Sequence, residues 1–245
     1  MRSLIKWPAL MLLAASLPVI VQSVQSAAMA DPAPVIDPAP VIGPAPVIGP
    51  APVIDNDQVT VWDIRLNKGE VARATPHDLD SVIMFLEGGR ILTRATGGRS
   101  STATRAFGDA LFVPRGTDAS QTLLTDGSAH EIMIALKDYR VPAVANTTGL
   151  PAAFPRPGSV KVLDNDRVVV WHYSWTPGVP TPMHFHDKDV VVAYRYDGTL
   201  KSVAPDGAIV VNPYKTGDIR FNKANRSHYE ELTTDRQSAV MLELK

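Results

Sequence analysis

Two stretches of this chain repeat each other at a constant spacing of 109 residues. The segment 55–62, DNDQVTVW, returns as 164–171, DNDRVVVW. Further identities follow at the same spacing without a gap, among them Gly69 with Gly178, Asp80 with Asp189, Gly108 with Gly217, and Phe112 with Phe221. A spacing kept over so many landmarks indicates that one structural unit of roughly 90 residues occurs twice.

Each repeat contains short apolar runs rather than helical periodicity. Turn-forming pairs such as Asp126-Gly127 and Asp197-Gly198 separate these runs. Evenly spaced short strands broken by turns predict an antiparallel sandwich or barrel in each repeat. The connector between them is rich in proline, as expected of an inter-domain linker. We therefore predict a first barrel over 55–140, a linker over 141–159 and a second barrel over 160–245.

The first 30 residues have the features of an export signal. Arg2 and Lys6 precede an apolar stretch, and the small residues Ala28-Met29-Ala30 follow it. This order predicts a signal peptide over 1–30 that is cleaved after Ala30. The expected mature protein is periplasmic or secreted, with no stable membrane insertion after cleavage. An uncleaved N-terminal anchor is the alternative.

Residues 31–54 form a second, much shorter repeat of four hexapeptides, DPAPVI twice and GPAPVI twice. Two prolines per unit fix φ and remove backbone donors, so we expect an extended polyproline II segment rather than a central strand. We predict a proline-rich spacer between the export signal and the folded body. A ligand for a proline-binding groove is the alternative.

Composition excludes several classes of function. The 245 residues include no cysteine, which excludes thiol nucleophiles, thiolate metal sites and disulfides. Loss of Arg2 and Lys6 with the signal leaves 22 basic and 25 acidic residues, a net charge of −3. The absence of a basic excess predicts no nucleic-acid partner. No glycine-rich phosphate-binding fingerprint is present either.

Three histidines of the second repeat form the pattern most typical of a metal site. His184 and His186 are two residues apart, so on a strand their side chains point to the same face. His228 lies on a later segment of the same repeat and meets this pair if the repeat closes as a barrel. Three neutral imidazoles suit one divalent transition metal, with Fe, Mn, Zn, Ni and Cu all left open. Three protein ligands leave coordination positions free, as catalytic metals require.

The spacing around these histidines resembles the two cupin motifs. Gly178, five residues and then His184-x-His186 match the start of G-x5-H-x-H-x(3,4)-E-x6-G. Gly217 and His228 match the spacing of G-x5-P-x-G-x2-H-x3-N. The resemblance covers about residues 55–245. It implies a bicupin, an all-β protein of two tandem double-stranded β-helix (jelly-roll) barrels with a metal inside.

The first repeat keeps a different part of this pattern. Pro114 and Gly116 preserve the proline and glycine of the second motif, which the second repeat lacks. Thr75 and Ala119, however, replace the first and third histidines and leave His77 alone. One imidazole does not make a metal site, so we expect a degenerate first barrel without a metal.

The second repeat departs from the family at the glutamate ligand. This residue would fall at Val190 or Val191, and neither side chain binds a metal. Asp189 is adjacent, and Glu230 is two residues past His228 on the same predicted face. We expect a three-histidine site with Asp189 or Glu230 as the catalytic acid or base beside it.

Two functions of different class fit these residues. The first is a metal-dependent enzyme, a dioxygenase or an isomerase-like enzyme, that acts on a small molecule. The second is a non-catalytic module that binds a small ligand or a metal outside the cytoplasm, which loss of the glutamate favours. A purely structural exported barrel is a third interpretation. Homodimerisation and internal pairing of the two barrels are both compatible with the sequence.

Overall fold

The computed structural model describes residues 51–73, 78–95, 98–117 and 119–245. Within these ranges the chain is all-β, with 18 strands and no helix. The described part therefore offers no helix long and apolar enough to cross a membrane. The predicted signal peptide and most of the predicted spacer lie outside the described residues, so both stay predictions. The all-β prediction is confirmed.

The first barrel is built from two antiparallel sheets. A five-stranded sheet has the order β1-β2-β9-β4-β7, and a four-stranded sheet has the order β3-β8-β5-β6. The strands are β1 (Ile54–Asp55), β2 (Val59–Asn67), β3 (Val71–Arg73), β4 (Asp80–Glu87), β5 (Gly89–Ala95), β6 (Ser100–Arg105), β7 (Ala110–Val113), β8 (Ala119–Leu123) and β9 (Ser128–Leu136). The first strand thus begins at the last residue of the predicted spacer.

The second barrel repeats this arrangement strand for strand. Its sheets have the orders β10-β11-β18-β13-β16 and β12-β17-β14-β15. The strands are β10 (Val160–Asp164), β11 (Val168–Trp175), β12 (His184–His186), β13 (Val190–Tyr194), β14 (Gly198–Val203), β15 (Ile209–Tyr214), β16 (Ile219–Asn222), β17 (Arg226–Leu232) and β18 (Gln237–Leu244). Strands β15 and β16 lie 109 residues after β6 and β7 at both ends, so the tandem-barrel prediction is confirmed.

Alternate residues of the five-stranded sheets contact two different cores. In β9, Ile132 and Ile134 belong to a buried cluster that also contains Val170 and Leu242 of the second barrel. Met133, between them in sequence, belongs to a cluster made only of first-barrel residues. The alternation follows from the two-residue period of a strand. Each large sheet therefore has one face toward its own barrel and one face packed against the other barrel.

Two polar contacts related by the repeat also join the barrels. Gln58 Nε2 donates to Asp189 Oδ2 at 2.5 Å, and Arg167 Nη1 donates to Asp80 Oδ2 at 2.5 Å. Gln58 and Arg167 are equivalent in the repeat, as are Asp80 and Asp189. Each aspartate thus binds the residue that precedes the first long strand of the opposite barrel. The same polar contact is therefore made once in each direction between the barrels.

The segment predicted as a linker, 141–159, is followed directly by β10, which begins at Val160. It does not simply span the gap between the barrels. Ala153 donates its backbone N–H to Phe185 O at 2.8 Å, and Phe185 N–H donates to Pro151 O at 2.9 Å. The Phe154 ring is buried and stacks on Trp171 with centroids 5.2 Å apart. The linker is therefore part of the second barrel's core.

Candidate metal centre

The three predicted histidines converge in the second barrel. Strand β12 pairs with β17 in a register that places His184 opposite His228. His186 Nε2 lies 3.2 Å from His184 Nε2 and 3.3 Å from His228 Nε2. One ligand atom from each histidine lies within 4.8 Å of the others. The three imidazoles therefore lie around one point, as the sequence predicts.

The distances between these nitrogens fit three ligands of one metal ion. Zinc binds imidazole nitrogen at about 2.0–2.1 Å, so two nitrogens on one ion lie roughly 3–3.4 Å apart for angles between octahedral and tetrahedral. His184 Nδ1 lies 2.8 Å from the carbonyl oxygen of Pro182. A donated Nδ1–H there leaves Nε2 unprotonated and aimed at the other rings. The donor set therefore fits a divalent transition metal held by three neutral imidazoles.

The surroundings keep the imidazoles neutral. Burial, aided by the charge of Arg156, lowers the pKa of His184 to about 4. Burial, aided by Arg226 and then Arg156, lowers the pKa of His228 to about 4. Burial also lowers the pKa of His186 well below its usual range. Because a metal competes with protons for the ring nitrogen, these shifts favour metal binding at neutral pH.

The two predicted acid–base candidates have different positions. Glu230 Oε1 lies 4.0 Å from His228 Nε2, and its Oε2 accepts a hydrogen bond from Trp175 Nε1 at 3.1 Å. Asp189 does not join the histidine group. Its Oδ1 accepts from Ala224 N–H at 2.6 Å, and its Oδ2 accepts from Gln58 and, at 3.1 Å, from Lys223. Glu230 is therefore the carboxylate beside the candidate centre.

The structure adds one residue to the site that the sequence analysis missed. Arg156, from the linker, places Nη1 3.3 Å from His184 Nε2 and Nη2 3.6 Å from Glu230 Oε2. Its side chain is 5% exposed, and its guanidinium lies 4.0 Å from the ring centroid of Tyr173. No motif or periodicity marks this arginine in a proline-rich connector. The place of Arg156 in the site is seen only in the folded structure, where the linker packs against the second barrel.

A cavity borders the histidines on the inner side of the barrel. It is small, with a volume of about 30 Å³, and it is partly open to solvent. Its lining combines polar and apolar side chains, which are Arg156, His186, Val190, Val192, Tyr194, Asn222, Arg226, His228, Glu230 and Met241. Such a mixture is typical of small-molecule sites, where apolar walls enclose the ligand and a few polar groups orient it.

The first barrel has other residues at the equivalent positions. Ala119, at the position of His228, is buried, and Gln121 stands at the position of Glu230. With its amide nitrogen facing Glu131, Gln121 donates to both carboxylate oxygens at 3.0 and 2.7 Å. His77 and Thr75 lie outside the described residues, so the metal-free first barrel stays a prediction. Among the described residues, the only group suited to a metal is the histidine cluster of the second barrel.

Fold and site together define a tandem cupin with a three-histidine centre in its second barrel. No family model matches the chain. Over 81 residues it is 37% identical to the β-alanine degradation protein BauB of Pseudomonas aeruginosa, a match that covers 33% of this chain and 80% of BauB. Because the match spans most of that relative, the chain belongs to the same family as BauB. Its fold is that of the cupin barrel proteins.

Solved structures show the same fold at low sequence identity. A variant of oxalate decarboxylase from Bacillus subtilis aligns with a TM-score of 0.54 and 14% identity, over 77% of this chain and 69% of that one. AerE from Microcystis aeruginosa aligns with a TM-score of 0.58 and 9% identity, over 78% of this chain and 88% of that one. Work on Bacillus subtilis oxalate decarboxylase describes Mn(II) centres in that enzyme. At these identities the likeness concerns the fold.

Proposed function

We propose that the protein is an exported bicupin whose second barrel is a metal-dependent enzyme acting on a small molecule. The observation that carries this proposal is the convergence of His184, His186 and His228 on one point beside a cavity that opens to solvent. The first barrel would support the second through their shared core.

Each residue of the site has a defined role in this proposal. The three histidines would hold one divalent transition metal, with Fe, Mn, Zn, Ni and Cu as candidates. When bound, the metal supplies Lewis acidity or activates dioxygen, the chemistry of an isomerase-like enzyme or a dioxygenase. Glu230, which accepts a hydrogen bond from Trp175, would move a proton at its Oε1 beside the centre. Asp189 is the second candidate, although its hydrogen bonds direct it to the barrel interface.

A non-catalytic binding module is the alternative function. Val190 and Val191, at the expected position of the family's glutamate, are 1% and 0% exposed. The site therefore has no carboxylate at that position. A protein that stores a metal or captures a small ligand outside the cytoplasm needs only the histidines and the cavity. Oxygen uptake or turnover of candidate substrates separates the two functions.

Elemental analysis of the purified mature protein tests the metal centre. We expect about one transition metal ion per chain. The triple variant His184→Ala, His186→Ala and His228→Ala should lose it. His172→Ala is a matched control, because this half-buried histidine packs against Phe107 with ring centroids 4.8 Å apart, away from the centre. Equal metal content in all three proteins would contradict the proposal.

Export is tested by the start of the mature chain. We expect the protein in the periplasm or medium to begin at Asp31, as measured by N-terminal sequencing or intact mass. A chain that keeps residues 1–30 and sediments with membranes would contradict cleavage and support the anchor instead. The spacer proposal for 31–54 is independent of this result.

A further inference from the structure

We infer that the cavity beside the histidines takes a small carboxylate with an apolar carbon chain, and that Arg156 couples its binding to that of the metal. This inference rests on the proposed metal centre and names the ligand class for it. It uses a residue of the linker that belongs to neither cupin motif.

Positive groups outnumber negative ones among the lining residues. Arg156 and Arg226 are two guanidinium groups, whereas Glu230 is the single carboxylate in the lining. Glu243, a further buried acid of this barrel, accepts a hydrogen bond from Trp171 at 2.8 Å. A bound divalent metal would increase the excess of positive charge. A carboxylate ligand offsets that excess, since guanidinium binds planar anions through paired hydrogen bonds.

Arg156 has unused hydrogen-bonding capacity although it is almost fully buried. Its Nε has no hydrogen-bond partner among the described residues. Its Nη2 lies 3.6 Å from Glu230 Oε2, which is beyond a good hydrogen bond. The guanidinium is held over Tyr173, with further rings of Phe154 at 4.7 Å and Trp175 at 5.8 Å. The arginine is therefore fixed in place by aromatic rings while part of its donor set stays unused.

Metal binding would free another donor of the same arginine. Nη1 lies 3.3 Å from His184 Nε2, the nitrogen that faces the other two imidazoles. One lone pair cannot both accept this hydrogen bond and bind a metal. Nη1 then becomes available to a ligand, and an anion bound there would offset the charge that the metal adds beside the guanidinium. Metal and anion should therefore strengthen each other's binding, and this coupling is reciprocal.

The other half of the cavity selects the ligand's carbon chain. Val190, Val192 and Met241 line the cavity from strands β13 and β18, which belong to a different sheet from the strand β17 that carries Arg226 and Glu230. These three apolar residues are 1%, 4% and 4% exposed, so they are part of the barrel core. Inorganic phosphate would leave this surface in contact with water, whereas a short-chain carboxylate would cover it. Butyrate is thus a suitable probe, and butyramide is its uncharged counterpart.

The test is calorimetric titration of the metal-free protein with Zn²⁺, alone and with butyrate, butyramide or phosphate. In the wild type, butyrate should tighten Zn²⁺ binding by about 5-fold or more, within the usual range of coupling between sites. Butyramide and phosphate should change the affinity for Zn²⁺ less than butyrate does. Arg156→Met should bind Zn²⁺ more tightly without butyrate, because a neighbouring cation is removed, and should lose most of the butyrate effect.

Two further variants separate charge from packing. Arg156→Lys keeps the positive charge and should keep part of the butyrate effect. Arg156→Met removes the charge and should lose most of that effect. Arg236→Met removes an exposed arginine that lies over Tyr196, with 4.2 Å between guanidinium and ring centroid, and should behave as wild type. If Zn²⁺ binds but butyrate acts equally on wild type and Arg156→Met, this inference is wrong and the metal centre stands. If the wild type binds no metal, both proposals fail.

Discussion

Glu131 of the first barrel should make the stability of the protein fall as pH rises. Its side chain lies in β9 and is 2% exposed, and burial raises its pKa from 4.5 to about 7, with the charge of Arg105 acting in the opposite direction. The folded state therefore holds a proton at pH values where the unfolded chain has lost it. By linkage, this contribution is fully present below pH 4.5 and is lost as pH rises through 7.

The difference between the folded and unfolded pKa values of Glu131 sets the size of this effect. Each unit of pKa difference corresponds to about 1.4 kcal/mol, so the contribution between pH 4 and 8 is up to about 3 kcal/mol. The two hydrogen bonds that Gln121 donates to the carboxylate favour its charged form and reduce the effect below that limit. Glu131→Gln removes the titrating group while keeping its size. The variant should therefore lose this part of the pH dependence.

Urea denaturation at several pH values measures the effect directly. The difference in unfolding free energy between wild type and Glu131→Gln should shift against the wild type by about 1–3 kcal/mol from pH 4 to pH 8. Glu87→Gln, at an exposed glutamate of the same barrel, should show no comparable shift. A constant difference, or one that shifts in favour of the wild type at high pH, would refute the reasoning.

Three further predictions follow from packing and from the contacts between the barrels. Asp189→Asn should lower the unfolding free energy by about 2–4 kcal/mol, because a buried carboxylate that accepts from three donors loses its charge. The same substitution should leave the metal content unchanged. Lost metal with unchanged stability would instead place Asp189 at the centre. Phe154→Ala should cost about 3–5 kcal/mol in denaturant, because the linker loses its stack on Trp171, and a cost below about 1 kcal/mol would contradict the linker's role in the core. Met84→Ala, in the cluster shared by both barrels, should cost about 2–5 kcal/mol and destabilise them together, so two separate unfolding transitions would argue against a shared core.

Local patterns were sufficient to predict the barrels and the histidine centre. Strand periodicity places His184 and His186 on one face, and the 109-residue repeat predicts which strands are equivalent. The third histidine, His228, followed from spacing within one repeat. These features depend on residues that are close in sequence or related by the repeat. For that reason they can be read without knowing how the two barrels pack.

Such local patterns could not predict the contacts between elements that are distant in sequence. Asp189 was a candidate acid because of its place beside the histidines, but its partner Gln58 is 131 residues away in the other barrel. Arg156 lies in a segment whose prolines indicate a linker and nothing more. Its position depends on the linker's hydrogen bonds with Phe185. The positions of Asp189 and Arg156 could be assigned only from the folded structure, because they depend on elements that are distant in sequence and share no periodic pattern.

Anomalous diffraction from crystals of the metal-loaded mature protein tests the three-histidine centre most directly. We predict one strong peak at the metal's absorption edge, about 2.0–2.3 Å from the Nε2 atoms of His184, His186 and His228. We also expect the guanidinium of Arg156 to move off His184 Nε2 when the peak is present. A peak bound elsewhere on the chain, or histidines that stay metal-free in excess Zn²⁺ or Mn²⁺, would contradict the three-histidine centre.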